Sequence, residues 1–491
     1  MRIPVLAVKI LLILLCVLFA YSLYERQPHV DDAWLGEHAW YQSKLGYVKS
    51  ELMRGVTHQE ERTLIHHKLL TLHGSLVVRI AGFSAPALKS VSLLYFLLFI
   101  ALCYWYMVSY RALMKRTEFM LLMILLLAHP LVFELSFVFR PEVPMMFYGF
   151  AAFVLVKEAV IRQRRILWLA FAGGIAAGLC FAFHLNGLIF PLAGAAVLVF
   201  SKRYAGAAMF VAGSILAGSV YFYDFTREYG LTYWLAQITD TPFHTRTSNY
   251  FSWKTMIVAF SREHLRFFHS PPESSLSILL IFALIMGWRA LKKMPVISLY
   301  SLFLIIFLAF IAIYKTSKYM VAYLPFIMII IVMIFKEKEL VREEPDHKRI
   351  FINGFAFFFL LFYLGIAIWA DVKISAKKFD PSGHRGITLK YFTPGSEGKR
   401  IAAPMEFVFN EIGRYEGIHG LLLYSQMLKI DSSYYGPGLL THFRENGIDA
   451  AYLNGQYIKA FGLGELKKDS MTGAYRVLDA SPDRLILSRE R

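Results

Sequence analysis

Two adjacent aspartates, Asp31 and Asp32, come shortly after the apolar segment that begins the chain. Carboxylates beside hydrocarbon are costly unless they are solvated or have a function. A carboxylate can act as a general base, and repulsion between neighbours would raise the pKa of one of them towards neutrality. The same pair is also typical of a solvated loop, or of a helix N-terminus at which Asp32 caps the stretch AWLGEHAWY. Both interpretations stay open on these residues alone.

A second candidate pair lies in a turn between two apolar segments, in the stretch FVFRPEVPMMF at 137–147. Arg140 and Glu142 flank Pro141, and a tight turn needs no charge in order to fold. An arginine beside a carboxylate is typical of a mutually paired couple whose guanidinium reaches the headgroups. It is also typical of a site that binds a phosphate or positions an acceptor.

Lysines recur in a third segment, YKTSKYMVAYLPF at 314–326, which opens a late apolar run. Lys315 and Lys318 fall in a hairpin. Because successive loops alternate between the two sides of the membrane, we expect this hairpin on the side opposite to the other basic loops. Binding of a phosphate at the outer leaflet would explain cations on that side. Anchoring in lipid headgroups together with Tyr319 is the alternative.

Histidines crowd the segment HHKLLTLHGSLVVRIAG, in which Lys68 begins an amphipathic stretch too short to span a membrane comfortably. The candidates for a metal site are His66, His67 and His73. Their spacing fits no strong ligand pattern and no matching acid is evident, so structural histidines are favoured over zinc ligands. Lys68 remains a candidate for binding a phosphate.

These candidates alternate with apolar segments of membrane-spanning length. A span needs roughly 20 mostly apolar residues. We therefore expect a polytopic α-helical membrane protein with about 11 transmembrane helices, near 4–24, 87–109, 117–137, 143–160, 166–182, 185–200, 204–223, 275–291, 296–314, 319–335 and 350–370.

The loops support this division. If the N-terminus is cytoplasmic, every inner loop is short and basic, as the positive-inside bias requires. An odd number of spans then puts the C-terminus outside, on the same face as Asp31, Glu142 and Lys318. The inner loops carry Arg111, Lys115 and Arg116, then Lys157, Arg162, Arg164 and Arg165, then Lys202 and Arg203, then Arg289, Lys292 and Lys293, and finally the run 336–349.

Three long segments lie on the outer side: 25–86, 224–274 and 371–491. The first two belong to a transmembrane domain at 1–370, and the third has the size of a small domain. It mixes strand-like and helix-like runs with Gly/Pro punctuation, which predicts an extracytoplasmic α/β domain. The strand-like runs are 420–424 and 484–487, and the helix-like runs are 405–414 and 439–446.

The composition agrees with a membrane protein and excludes several other classes. Hydrophobic residues make up 57% of the chain and charged residues 18%, whereas soluble domains are about half apolar and a quarter charged. The net charge of +17 does not indicate nucleic acid, because it is sorted into the loops. Cys16, Cys103 and Cys180 all lie in apolar stretches, which excludes a disulfide framework and a cysteine metal site.

Taken in order, four of these motifs resemble the GT-C superfamily of polytopic glycosyltransferases. The similarity covers about the first 335 residues. It points to the branch of dolichyl-phosphate-mannose protein mannosyltransferases and their bacterial relatives, including lipid A aminoarabinose transferases. The motifs are Asp31-Asp32-Ala33-Trp34, Lys68-Leu69-Leu70, Arg140-Pro141-Glu142 and Lys318-Tyr319 followed by Pro325.

The resemblance implies an inverting transfer of a sugar from a polyprenyl-phosphate donor to a lipid, glycan or protein acceptor. It implies a catalytic role for Asp31, with Asp32 orienting it or replacing it. The leaving phosphate needs cations rather than protonation. The candidates for binding it are Lys68, Arg140, Lys315, Lys318 and Tyr319.

Glu142 is then a candidate for holding Arg140, binding the acceptor or sharing a divalent cation with Asp31. No cofactor is required by the sequence, and a divalent cation stays possible. Short loops and the family branch suggest a bacterial inner membrane.

The chain also departs from the family pattern. Asp32 stands where many relatives have Glu, Glu142 replaces Asp, and no Pro-Pro follows Lys68. His184 with Asn186-Gly187 stands where relatives often carry a Lys-Gly pair. These differences leave the sugar open.

Two other functions compete with an enzyme. A transporter or flippase of lipid-linked sugars would share the spans and the phosphate-binding cations, but it should show repeats and charges at membrane depth. A scaffold would use the outer domain to recruit partners. An enzyme predicts that Asp31, Glu142 and Lys318 converge on one outward cavity, whereas a scaffold predicts no convergence.

Overall fold

The computed structural model describes most of the chain. The described residues are 5–162, 165–240, 252–313, 315–336, 346–380, 382–392 and 398–490. Part of the predicted inner loop at 336–349, Arg164 in an earlier inner loop, and the middle of the outer segment 224–274 lie outside them.

Helices dominate the first three quarters of the chain. In chain order they are α1 (Val5–Leu23), α2 (Val30–Leu45), α3 (Lys68–Ala81), α4 (Ala85–Tyr104), α5 (Arg116–Ala128), α6 (Pro130–Leu135), α7 (Glu142–Ile161), α8 (Ile166–Phe183), α9 (Ile189–Phe200), α10 (Tyr204–Gly218), α11 (Leu231–Thr239), α12 (Trp253–Ser261), α13 (His264–Phe267), α14 (Pro271–Lys292), α15 (Pro295–Ile311), α16 (Leu324–Lys336) and α17 (Asp346–Ala376).

In the described part of this region, four short non-α segments accompany these helices. A π-helical turn at Trp105–Tyr110 extends α4, and 3₁₀ turns lie at Leu185–Leu188, Ser219–Phe222 and Ser317–Ala322. The last of these carries Lys318 and Tyr319.

Seven helices among the described residues are long and apolar enough to cross a membrane. They are Val5–Leu23, Ala85–Tyr110, Glu142–Ile161, Ile166–Phe183, Tyr204–Phe222, Pro271–Lys292 and Gly354–Ala376, and shorter apolar helices cover Leu185–Phe200, Pro295–Ile311 and Leu324–Lys336. An apolar helix therefore occupies each predicted span except 117–137, where two helices replace the expected one.

The predicted span 117–137 is divided by a proline. α5 ends at Ala128, and Pro130 begins α6 at a position where its missing N–H costs no hydrogen bond. His129 between them accepts a hydrogen bond on Nδ1 from the N–H of Leu131, at 3.3 Å. The break allows the chain to turn before it reaches Arg140.

Small residues bring α8 and α10 into close contact. A Cβ added at Gly174 would lie 2.0 Å from the carbonyl oxygen of Phe210, and one at Gly213 would lie 2.3 Å from that of Phe171. Lipid offers no hydrophobic force between apolar helices, so their association depends on this close van der Waals packing.

The C-terminal region forms the predicted α/β domain. Its described residues form a six-stranded sheet of order β2-β1-β3-β6-β5-β4, in which β1 pairs parallel with β2 and β3 and the remaining pairs are antiparallel. The strands are β1 (Arg400–Ala403), β2 (Gly417–Gly420), β3 (Ala450–Asn454), β4 (Met471–Thr472), β5 (Tyr475–Ser481) and β6 (Arg484–Arg489). The helices are α18 (Ser382–Ile387), α19 (Val408–Glu411), α20 (Leu421–Met427), α21 (Pro437–Glu445) and α22 (Gly455–Phe461).

One strand prediction in this domain is wrong. The run 420–424 is the end of β2 followed by the start of α20, because a short apolar run suits a buried helix as well as a strand. The strand at 484–487 and the helix at 439–446 are confirmed by β6 and α21. The predicted helix at 405–414 is reduced to a 3₁₀ turn at Met405–Phe407 and the short α19.

The α/β domain packs on helix α2. Phe409 stacks on Phe83, with ring centroids 5.5 Å apart, and Gly413 lies against the indole of Trp40. Gly36 of α2 faces Leu88 and Phe409, so this helix is enclosed on that side. The domain therefore supports the helix that carries Asp31.

A backbone bridge joins the segment after α1 to the segment after α17. Arg26 pairs antiparallel with Lys378. The N–H of Phe379 donates to the carbonyl of Glu25 at 2.9 Å, and the N–H of Gln27 donates to that of Lys377 at 3.3 Å. The two chain regions thus meet just before α2 begins.

Candidate active site

Asp32 is a buried anchor at the start of α2. Its Oδ2 accepts a hydrogen bond from the N–H of His29 at 2.6 Å, and its Oδ1 accepts one from the N–H of Phe139 at 2.5 Å. The Lys89 ammonium lies 3.6 Å away. The helix is capped by His29 rather than by Asp32, which is the acid of the capping box. Asp32 thereby fixes the turn before Arg140 against α2.

The pKa of Asp32 is raised, as the sequence suggests for one of the two acids, but for a different reason. Burial is the cause, and the Lys89 ammonium and the two backbone donors oppose it. The expected repulsion between Asp31 and Asp32 is not the source of the shift, because the two carboxylates have different surroundings.

Asp31 points into the site and keeps 23% of its side chain exposed. Its Oδ2 forms an ion pair with the Arg140 guanidinium and lies 3.6 Å from the ammonium of Lys318. The Nδ1 of His29 is 3.1 Å from the same oxygen. The exposed acid is therefore surrounded by three nitrogen groups from three parts of the chain.

Glu142 holds Arg140 from the other side. It lies in the first turn of α7, fully buried, where the partial positive charge of the helix N-terminus favours an acid. Its Oε2 accepts from Nε of Arg140 at 3.0 Å. One guanidinium thus bridges the carboxylates of Asp31 and Glu142, a strong charge-assisted arrangement.

Lys318 completes this cluster from the 3₁₀ turn before α16. Its Nζ lies 2.8 Å from Nε2 of His29. Burial, followed by repulsion from Arg140, lowers the pKa of Lys318 to about 8. Burial, followed by Lys318 and Arg140, lowers the pKa of His29 to about 4, so this imidazole is neutral at pH 7.

Two histidines and a tyrosine form an aromatic wall beside the Arg140–Glu142 pair. The rings of His67 and His184 stack with centroids 4.7 Å apart and an interplanar angle of 26°. Tyr319 meets His184 edge-on at 5.3 Å. The Glu142 carboxylate interacts electrostatically with both imidazoles.

Lys68 does not join this cluster. Its Nζ donates to both carboxylate oxygens of Asp224, at 2.8 and 2.9 Å, and His66 Nε2 lies 2.9 Å from Oδ2 of the same acid. The side chain of Lys68 is fully buried. The predicted phosphate ligand is therefore held in a separate ion pair that joins the start of α3 to Asp224.

Lys315 is also placed elsewhere. Its Nζ donates to Oε2 of Glu263 at 2.8 Å and to the carbonyl of Ala309 at 2.9 Å. Arg266, whose Nε is 3.4 Å from Glu263, lies with its guanidinium 5.9 Å from the Tyr319 ring. This second group of charges therefore borders the site through Tyr319 without entering the Asp31 cluster.

Of the predicted site residues, Asp31, Arg140, Glu142, Lys318 and Tyr319 come together, with Asp32 directly behind them. Three participants were not assigned to the site from the sequence: His29, His67 and His184. His29 precedes Asp31 by two residues, which is the spacing of a helix cap, and His184 was visible as a departure from the family pattern.

The residues of the candidate active site do not form a divalent-metal site in this arrangement. No group of three or more His, Cys, Asp or Glu side chains suited to a metal occurs in the part of the chain that the structure describes. The cation between Asp31 and Glu142 is the guanidinium of Arg140, so the two acids offer no common face to a metal.

Comparison with known proteins identifies the fold. No protein-family model and no curated protein matches the chain. It superposes on the crystal structure of ArnT from Cupriavidus metallidurans bound to undecaprenyl phosphate with a TM-score of 0.61 and 11% identity, covering 99% of this chain and 98% of that one.

A second similar structure is the oligosaccharyltransferase of Archaeoglobus fulgidus in complex with zinc and sulfate. Its TM-score is 0.54 at 11% identity, over 90% of this chain and 68% of that one. The same enzyme tethered with an acceptor peptide gives 0.53 at 11% identity, over 91% and 69%. The GT-C fold that the resemblance of the four motifs implies is thus confirmed: this chain is an integral membrane protein with the fold of these glycosyltransferases.

Proposed function

We propose that this protein is an inverting glycosyltransferase that moves a sugar from a polyprenyl-phosphate donor to an acceptor hydroxyl or amine. The observation that carries the proposal is the convergence of Asp31, Arg140, Glu142 and Lys318 from three distant parts of the chain. Neither a scaffold nor a lipid anchor needs such a cluster. The fold adds support, because ArnT was solved with undecaprenyl phosphate and the archaeal enzyme with an acceptor peptide.

The reaction asks for a base and for stabilisation of a leaving phosphate. The acceptor O–H or N–H gives its proton to the Asp31 carboxylate while the acceptor atom attacks the anomeric carbon. The bond between that carbon and the phosphate oxygen breaks on the opposite face, and its electron pair leaves with the polyprenyl phosphate. Configuration at the anomeric carbon inverts in this single displacement.

Arg140 and Lys318 supply positive charge to the departing phosphate. Cations that are already oriented stabilise charge as it develops and need no rearrangement during the reaction. In the structure both cations lie against Asp31. A donor phosphate that takes over their hydrogen bonds would release the Asp31 carboxylate, so the base becomes free when the donor is bound.

Glu142 and Asp32 position these groups. Glu142 orients the guanidinium of Arg140, and Asp32 fixes the turn that carries it. No step in this mechanism passes through a metal ion. A chelator tests directly whether transfer requires a divalent cation.

We place the site on the extracytoplasmic face of a bacterial inner membrane, with the N-terminus and the basic loops in the cytoplasm. The positive-inside bias of the loops supports this orientation. Cysteines introduced at exposed positions, such as Lys377 for the outer side and Lys115 for the inner side, would report it through labelling with a membrane-impermeant thiol reagent. Labelling of K115C in intact cells would contradict the orientation.

Mass spectrometry of cell-envelope lipids and glycans tests the function. Cells that lack the protein are expected to lose one sugar modification and to accumulate the corresponding polyprenyl-phosphate sugar. The wild-type chain should restore it, whereas Asp31→Asn should not. An unchanged envelope, together with no consumption of polyprenyl-phosphate sugars by the purified protein, would overturn the proposal.

A further inference from the structure

The stacked pair of His67 and His184 is built from two separate elements. His67 is the residue before α3, and His184 lies between α8 and the 3₁₀ turn at Leu185–Leu188. Neither histidine is used in the proposed transfer step. The near-parallel stacking of their rings, with centroids 4.7 Å apart, therefore needs another explanation.

This pair lies at one side of the candidate active site. Glu142 interacts with both rings, and Arg140 also acts on His184. Tyr319, the neighbour of Lys318 in sequence, contacts His184 with its ring edge-on. A sugar whose phosphate is held by Arg140 and Lys318 would therefore extend along these rings.

Both imidazoles are uncharged at neutral pH. Burial is the main cause, and it lowers the pKa of His67 to about 4 and that of His184 to about 3. The carboxylate that interacts with both rings, that of Glu142, is already paired with the guanidinium of Arg140. This side of the site offers flat aromatic faces without a free charge.

The hydrogen-bonding state of His184 is set by its neighbour. Its Nδ1 accepts a hydrogen bond from the N–H of Asn186 at 2.9 Å, so the ring hydrogen of the neutral form is on Nε2. Within the described residues that N–H has no acceptor, and it can donate to a hydroxyl group. An aromatic face combined with an N–H donor suits the apolar face and the hydroxyl groups of a sugar.

We propose that His67 and His184 form the platform for the sugar of the donor, and that this sugar carries hydroxyl groups rather than a cationic amine. The inference deepens the proposed function and rests on it. A cationic sugar would need an unpaired carboxylate beside the platform, whereas the carboxylate there, that of Glu142, is paired with Arg140. A neutral sugar needs no such partner.

Titration of the purified protein with defined lipids tests this assignment. The probes are undecaprenyl phosphate without a sugar, its glucosyl, galactosyl, mannosyl and arabinosyl derivatives, and its glucosaminyl derivative. We expect at least one neutral sugar to bind on the order of tenfold more tightly than the sugar-free lipid. The glucosaminyl lipid should gain nothing over the corresponding neutral one.

Variants separate the platform from the phosphate site. His184→Ala and His67→Ala should each remove most of the preference for the sugar and change the affinity for sugar-free undecaprenyl phosphate less than about twofold. His184→Phe keeps the ring face but loses the N–H, so it should retain part of the preference and guards against a folding defect. His58→Ala is the matched control, because His58 is an exposed histidine of the same outer segment.

The outcomes distinguish the two proposals. Lys318→Ala should weaken all of the lipids alike, and failure of the wild-type protein to bind any of them overturns the proposed function together with the platform. Lipid binding with an unaltered sugar preference in both alanine variants overturns the platform and leaves the proposed function standing. Tighter binding of the glucosaminyl lipid overturns the assignment of a neutral sugar.

Discussion

Two charged clusters lie on segments predicted to be extracytoplasmic and are built in opposite ways. In one, Lys68, Asp224 and His66 form a closed unit in which the lysine is fully buried and both carboxylate oxygens are bound. In the other, Asp31 and Lys318 keep 23% and 26% of their side chains exposed and share their partners. A closed ion pair ties two segments together, whereas an open one can exchange a partner for a substrate.

This contrast changes how cations in such a protein should be interpreted. The sequence offers Lys68, Lys315 and Lys318 as equivalent phosphate ligands, and burial distinguishes them. A lysine that is satisfied by a dedicated acid contributes mainly to the fold, and removing one partner leaves an uncompensated charge. Substitutions in the two clusters should therefore affect different measurements.

The largest effect is expected at Asp31. Asp31→Asn removes the base and should lower transfer by about 10²- to 10⁴-fold without changing the melting temperature, because the side chain is partly exposed. The measurement is release of the labelled sugar from its polyprenyl carrier by purified protein. Asp32→Ala is the companion variant.

The companion variant should behave differently because Asp32 accepts two backbone hydrogen bonds in a buried position. We expect Asp32→Ala to lower the melting temperature and to lose activity in parallel with folded protein. Full activity in Asp31→Asn, or a stable but inactive Asp32→Ala, would contradict the assignment of the base to Asp31.

Substitutions in the closed cluster of Lys68, Asp224 and His66 should change the folding stability of the protein. Lys68→Met leaves the buried Asp224 carboxylate without its ammonium partner and with His66 as its remaining side-chain partner, which is expected to cost about 3–5 kcal/mol of folding stability. The double variant Lys68→Met with Asp224→Leu should recover part of this loss. Thermal unfolding in detergent measures both.

Activity per folded molecule decides the role of Lys68. It should be little changed in the double variant if the ion pair is structural. A double variant that is stable but no longer binds sugar-free undecaprenyl phosphate would show that Lys68 binds the donor phosphate, as the family resemblance implies.

Lys318→Ala should have a smaller effect, limited to the donor. Loss of a charged hydrogen bond costs about 1.5–3 kcal/mol, so KM for the donor should rise by about 10- to 100-fold with KM for the acceptor nearly unchanged. Lys315→Ala is the matched control from the same segment, since its ammonium binds Glu263. Equal effects of the two substitutions on donor KM would contradict the distinction between the open and closed pairs.

The smallest effect concerns pH. The pKa of Lys318 is lowered to about 8, so its charge is lost as the pH rises through that value. Affinity for the donor should fall above pH 8, by about tenfold for each unit at the steepest part. Lys318→Arg should remove this dependence, because arginine stays protonated. A pH profile that is identical in wild type and Lys318→Arg would show that another group titrates.

The fold was largely predictable because the signals are local. Apolar runs and basic loops identify membrane helices without any tertiary information, and Pro130 is itself the reason why one predicted span divides. The apolar run at 420–424 shows the limit of local patterns, since β2 and α20 share it.

The site was predictable in part. Asp31, Arg140, Glu142 and Lys318 stand out because each is a charge at the edge of an apolar segment. The partner of Lys68 is 156 residues away, so no local spacing joins it to Asp224. The pKa of Asp32 likewise depends on burial and on the hydrogen bond from the N–H of Phe139, which only the folded chain reveals.

The bridge between Arg26 and Lys378 bears on the order in which the site is assembled during synthesis. The residues that pair with the segment just before α2 are made only after all the apolar helices, so a growing chain in the membrane lacks this support. The α/β domain that packs on α2 emerges later still. Competence for transfer should therefore arise only after the α/β domain has been made, and nascent chains halted before residue 377 should be inserted but inert.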